Sequence, residues 1–266
     1  MIDIGMGAWV SDYDGYMLMK FTSKYEFQQD FLNGKLFFNT ADWFANCEDE
    51  GRGDSDEGNT FLINYNNPGL VSAKMEMIDG QAMIVVRDYS NNPENFEEGT
   101  VWSYSSADNR FRKIISFYTV YLNLQKRIVG EFPDNMAKEF GEYGVLILDR
   151  KEFFSRVADA FKKMTNCKDA KMGFVEYHKI NEGLNDWHPF RKDVDRFAYQ
   201  NEFRITYVDD TKECFKLDLG KSLRDIAVPI MANDVGEIYF EGDNLLYPTY
   251  KEKWYSKLLR RIKAIF

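Results

Sequence analysis

Gln200, Glu202 and Arg204 recur at every second position within the aromatic run Phe197 to Tyr207. A carboxylate held at a fixed place on a strand can stabilise the positive charge that develops on a sugar as its glycosidic bond breaks. Strand side chains two residues apart share a face, so this spacing predicts Gln200, Glu202 and Arg204 on one side and Phe203 and Ile205 facing the core. The same pattern also fits a plain surface pair of Glu202 with Arg204, worth about 0–1 kcal/mol.

A second candidate is the glycine-punctuated acidic stretch 48–58, which contains Arg52, Asp54, Asp56 and Glu57. Its spacing departs from a calcium loop and lacks the distal glutamate in register. It fits a solvated turn, a divalent-cation loop, or a loop in which Arg52 faces a phosphate while Gly51 and Gly53 let the backbone approach. His178 and His188 are the only histidines, with no Ser or Cys neighbour that would make a nucleophile pair. Cys47, Cys167 and Cys214 are scattered without metal-ligand spacing and read as reduced thiols. No metal site is expected.

The chain carries a formal net charge of -9, which argues against general nucleic-acid binding, because phosphate contacts need clustered Lys and Arg. The N-terminus has no basic segment followed by an apolar run, and no stretch reaches the roughly 18 apolar residues of a membrane span. A soluble, cytoplasmic protein is expected. There is no Gly-x-Gly-x-x-Gly and no Walker loop to suggest a nucleotide fold of those classes.

These residues need a frame to hold them. Hydrophobic periodicity predicts a strand at 16–21, then a helix capped by Thr22 or Ser23 with Glu26 closing a capping box, and a strand at 35–39. Asn33-Gly34 ends the helix, and Thr40 caps a short helical turn. Strands follow at 60–65, 71–78, 81–87 and 113–124, with turns at 66–69 and 79–80 and a polar break at 91–99. Further on come helices at 136–140 and 151–164 and strands at 144–148, 174–179, 202–208, 214–219 and 238–240. A basic amphipathic helix is expected over 250–265. The sum is a single α+β domain of mixed, mostly antiparallel sheets with flanking helices, in which 60–130 could be a β-rich insertion.

Two family resemblances bear on function. The Gln200-x-Glu202 pair opening a strand resembles the signature of ADP-ribosyltransferases. That resemblance implies an ADP-ribosyltransferase-like core that binds NAD and cleaves its N-glycosidic bond. Glu202 would then stabilise the oxocarbenium, Gln200 would place the acceptor, and Lys20, Thr22, Thr40, Arg52 and Arg204 would line the cofactor cleft. The family has Arg or His where Lys20 stands, and a Ser-Thr-Ser run where Asn39-Thr40 stands. Residues 33–44, 52–58, 139–157 and 197–205 together resemble an uncharacterised family of bacterial and phage-borne proteins. This wider resemblance implies that Arg52, Asp54, Glu57, Gln200, Glu202 and Arg204 share one site. It leaves a second function open, a non-catalytic phage- or defence-related module that binds a nucleotide-like ligand or a protein partner.

Overall fold

The computed structural model describes residues 3–5, 13–49, 51–64, 71–78, 81–88, 101–104, 107–133, 135–180, 183–249 and 258–263. The expected turns at 66–69 and 79–80 and the polar break at 91–99 lie outside these residues.

A ten-stranded sheet carries the architecture, and the fold is α+β. Its spine runs β1 (Asp3–Gly5), β11 (Lys168–Phe174), β15 (Glu202–Val208), β8 (Lys113–Asn123), β2 (Gly15–Thr22), β10 (Tyr143–Ile147) and β17 (Ala227–Met231). All neighbours along it are antiparallel except β1 and β11. β3 (Lys35–Thr40) joins through β8 and carries β16 (Phe215–Asp218), and β9 (Ile128–Val129) pairs with the far end of β8.

β8 is buried on both faces along most of its length, as its apolar composition requires for a central strand. One face is covered by α1 (Tyr25–Leu32) and α5 (Arg150–Lys163). On α5, Phe153, Val157, Ala160 and Phe161 form a stripe at helical spacing and are all buried. Asp149 starts that helix by accepting a hydrogen bond from the Glu152 amide at 3.0 Å, and Lys162 and Lys163 sit at its C-terminal end, where the dipole favours cations. The opposite face is covered at the β2–β10 end by α4 (Met136–Phe140) and by Val235, Ile238, Leu245 and Tyr247.

Smaller units surround the sheet. α2 (Ala41–Ala45) follows β3, and Thr40 caps it by accepting from the Trp43 amide at 3.1 Å. β4 (Phe61–Asn64), β7 (Val101–Tyr104) and β13 (Gly183–Asp186) form one sheet, and β5 (Val71–Ile78) with β6 (Gln81–Asp88) forms a hairpin. α3 (Ala107–Arg110) leads into β8. β12 (Glu176–His178) and β14 (Arg191–Asp193) pair in parallel, followed by α6 (Val194–Phe197). β18 (Tyr239–Glu241), β19 (Asn244–Thr249) and β20 (Leu258–Lys263) form a last sheet.

Four expectations change. Residues 258–263, expected within a basic helix, form a strand, because β19 offers them a ladder of backbone partners and such pairing overrides local helical propensity. The α1 cap is Lys24 rather than Thr22 or Ser23, and its side chain accepts no hydrogen bond from the helix's first turn. Residues 113–123, counted with the suspected insertion, are the hub of the main sheet. β15, which could have been a half-exposed strand, is buried at all seven positions, so Glu202 and Arg204 are no surface pair. Among the described residues no helix is long and apolar enough to cross a membrane.

Candidate functional site

The polar face of β15 lies beyond the reach of the apolar cover on the β2–β10 side. Its start is closed instead by loop 47–58 and by the β12–β14 pair. Arg204 sits at the centre, with 2% of its side chain exposed. Its Nε donates to Glu202 Oε1 at 2.8 Å, and its Nη1 and Nη2 donate to Glu57 Oε1 and Oε2 at 2.9 and 2.6 Å. The Pro189 carbonyl accepts a further bond from Nη1. Lys192 Nζ reaches Glu202 Oε2 at 3.0 Å and donates to Gln200 Oε1 at 2.9 Å. Gln200 Nε2 in turn donates to the Gly51 carbonyl at 2.8 Å.

The local fold explains this convergence. Parallel pairing sets Tyr177 opposite Lys192, and both side chains meet Glu202: Tyr177 Oη accepts from its backbone amide at 2.8 Å while Lys192 takes its carboxylate. Gln200 is not part of the strand. It ends a 3-10 turn, and Asn201, at φ 41° in the left-handed region, redirects the chain before β15 begins. Asparagine tolerates that conformation better than most residues. The shared direction of Gln200 and Glu202 therefore comes from a kinked backbone and not from strand alternation.

Lys20 approaches from across the sheet. β8 pairs with β3 at residues 113–114 and with β2 at residues 118–122, so its edge is open between them. The Lys20 ammonium enters that split and donates to the Ser116 carbonyl at 3.0 Å. Burial lowers its pKa to about 8, against the pull of Glu202 and with a further push from Arg52. Ser116 also hydrogen-bonds Glu202. Burial alone would raise the Glu202 carboxyl, but Arg204, Lys192 and these hydrogen bonds hold it well below the usual range. Glu57 ends up on the other side of its ordinary value. Burial pushes it up, Asp54 adds to the push, and Arg204 only partly offsets them.

The loop is packed tightly against its own protein. A Cβ on Gly51 would fall 2.6 Å from the Glu139 Cβ, and one on Gly53 would fall 2.1 Å from the Cys47 carbonyl oxygen. These glycines therefore admit Glu139 and the loop's own backbone, not a phosphate. Glu139 also accepts a hydrogen bond from Tyr199 at 2.5 Å. Asp56 accounts for the loop's other charge. Its pKa is pushed up to about 6, first by burial and then by Asp54, while Arg196, 3.6 Å away, opposes the shift. A cavity of about 380 Å³ is lined among others by Cys47, Glu48, Asp49, Ser55, Arg196 and Phe197.

Of the residues singled out from sequence, Gln200, Glu202, Arg204 and Glu57 are in direct contact, Lys20 joins through Ser116, and Asp54 is buried beside Glu57. Arg52 lies on the loop and binds Asp49 at 2.6 Å. Thr22 and Thr40 are engaged elsewhere. Thr22 Oγ1 donates to the Tyr143 and Lys24 carbonyls at 3.3 and 3.2 Å, and Thr40 caps α2. Thr40 faces Lys113 on β8 whereas Glu202 faces Tyr118, five residues or roughly 17 Å along the strand. His178 bonds Glu176 at 3.1 Å on the surface, and His188 Nδ1 accepts from the Phe190 amide at 3.2 Å. Lys192, Tyr177 and Ser116 were not foreseen. Lys192 sits in the charge-rich segment 191–196, which reads as solvated surface in the absence of its strand partner. Among the described residues no group of three or more His, Cys, Asp or Glu is placed to hold a metal.

Searches of protein-family models, curated proteins and solved structures found no match to this chain.

Proposed function

We propose that the chain is a non-catalytic module that binds a small nucleotide-like ligand at the polar end of its main sheet. One observation carries this reading: the Glu202 carboxylate, with 7% of its side chain exposed, is already neutralised by Arg204 and Lys192. A carboxylate that lowers a barrier by meeting positive charge on a substrate must have that charge free when the bond breaks. Here it orders its own neighbours. The cations gathered around it, Lys20, Lys192 and Arg204, are the groups that recognise phosphate.

A second reading is favoured by a different observation. Lys20 feels the charges of both Glu202 and Arg52, and all three belong to the set that an ADP-ribosyltransferase-like site would use. NAD would be its cofactor, with Glu202 freed from its cations as the substrate enters.

Calorimetric titration of the full chain with ADP-ribose and NAD, alongside an assay of nicotinamide release, separates the two. Saturable binding without release supports the module. Release that is lost in Glu202→Gln, while the fold is kept, transfers the conclusion to the enzyme. No binding and no release overturns both.

A further inference from the structure

We infer that Arg204 and Lys192 form a binding site for a phosphate or pyrophosphate group, and that Glu57 is a built-in occupant which the ligand must displace. This rests on the proposed binding function and names both its ligand group and its regulation.

The two carboxylates on Arg204 are not equivalent. Glu202 is two residues away on the same buried strand and cannot leave without disrupting β15. Glu57 reaches the guanidinium from loop 47–58, outside every sheet, and takes the fork through both of its oxygens. A phosphate offers the same two-oxygen edge to a guanidinium. The electrostatics point the same way, since burial holds Glu57 on the unfavourable side of its ordinary pKa while Glu202 is held on the favourable side. Glu57 is the one of the two anions on this shared cation that belongs to a loop rather than to the sheet.

Charge balance selects the ligand. With Glu57 withdrawn, and Asp54 with it on the same loop, Lys20, Lys192 and Arg204 face Glu202 alone. That leaves an excess of two positive charges, which a phosphate dianion would match. The loop also lines a cavity of about 380 Å³ together with Arg196 and Phe197. The ties holding it inward include the ion pair of Glu57 with Arg204, the pair of Asp56 with Arg196 at 3.6 Å, the Gln200 bond to the Gly51 carbonyl, the packing of Gly51 on Glu139, and backbone bonds such as that from the Asp54 amide to the Phe44 carbonyl at 3.0 Å.

An internal occupant reduces apparent affinity by the fraction of molecules in which the site is open. Glu57→Gln keeps the shape and removes the competing charge, so it should bind inorganic pyrophosphate at least about tenfold more tightly than wild type by calorimetry. In wild type, saturating ADP-ribose should speed trypsin cleavage after Arg52 as the loop lifts, an arm that needs no variant to fold. If folded Glu57→Gln binds pyrophosphate no more tightly and ADP-ribose binds wild type without speeding cleavage at Arg52, Glu57 is no occupant and only the binding function stands. If neither protein binds pyrophosphate or ADP-ribose, the binding function falls as well.

Discussion

Asp56 offers the most quantitative test of the loop's electrostatics. Its side chain is 15% exposed, and burial beside Asp54 pushes its pKa from 3.8 up to about 6. Each pKa unit corresponds to about 1.36 kcal/mol, so the ionised carboxylate costs the folded state roughly 3 kcal/mol relative to the unfolded chain. The folded protein binds the extra proton between pH 3.8 and 6. The cost is therefore absent below pH 3.8, grows as pH rises, and is complete above pH 6. Asp56→Asn keeps the shape and removes the charge. The attraction of Arg196 at 3.6 Å is already contained in that net shift.

The variant should therefore be more stable than wild type by up to about 3 kcal/mol at pH 7.5, or about 6–12 °C in Tm for a chain of this size. At pH 4 the gain should shrink toward zero, because wild-type Asp56 is then largely protonated. Thermal melts of both proteins at the two pH values measure the difference directly. A gain equal at both pH values, or a loss at pH 7.5, would refute the claim that the loop holds an unfavourable buried charge.

Three other outcomes follow from the same geometry. Arg204→Met strands Glu57 and Glu202 without their shared partner and should cost about 3–5 kcal/mol in urea denaturation, with much of that recovered when both glutamates are also made Gln. Asn201→Val should cost about 1–2 kcal/mol, because a β-branched residue is strained at φ 41°, whereas Asn201→Gly should be close to neutral; equal losses would show that the Asn side chain, not the backbone, matters. Lys20 should react with an amine-acylating reagent with a pH midpoint near 8, and Arg52→Ala should raise that midpoint, as read by mass spectrometry of the labelled peptide.

Much of the frame was legible because it is local. The strand–helix–strand unit at 15–40 is fixed by alternation, by the stop at Asn33-Gly34 and by apolar spacing on α1. α5 was legible from an apolar face of Phe153, Phe154, Val157, Ala160 and Phe161, of which all but the half-buried Phe154 are buried. Non-local pairing was not. β17 contains Pro229, which weakens its strand pattern, yet it is an edge strand supported by β10. β20 follows a helical apolar spacing and is a strand only because β19 lies beside it. The site shows the same division. Arg204 and Glu202 share a face by simple periodicity, but Lys192 reaches them through the parallel β12–β14 pairing, and Gln200 reaches them through one left-handed residue.

The charge network ties the loop directly to the main sheet. Glu202 belongs to the main sheet and Glu57 to the loop, and one guanidinium holds both. A buried ion pair gives little net stability, because desolvation offsets most of its attraction. Hydrophobic residues could have closed this end of the sheet, as they close the β2–β10 end. What a shared guanidinium adds, on the proposed reading, is dependence: one hold on the loop lasts only while its own carboxylate is the best anion on offer. An apolar cover would hold the loop equally well but would not respond to phosphate. Glu57 is therefore the residue at which stability and ligand response can be separated, since removing its charge leaves β15 and its pair with Glu202 in place.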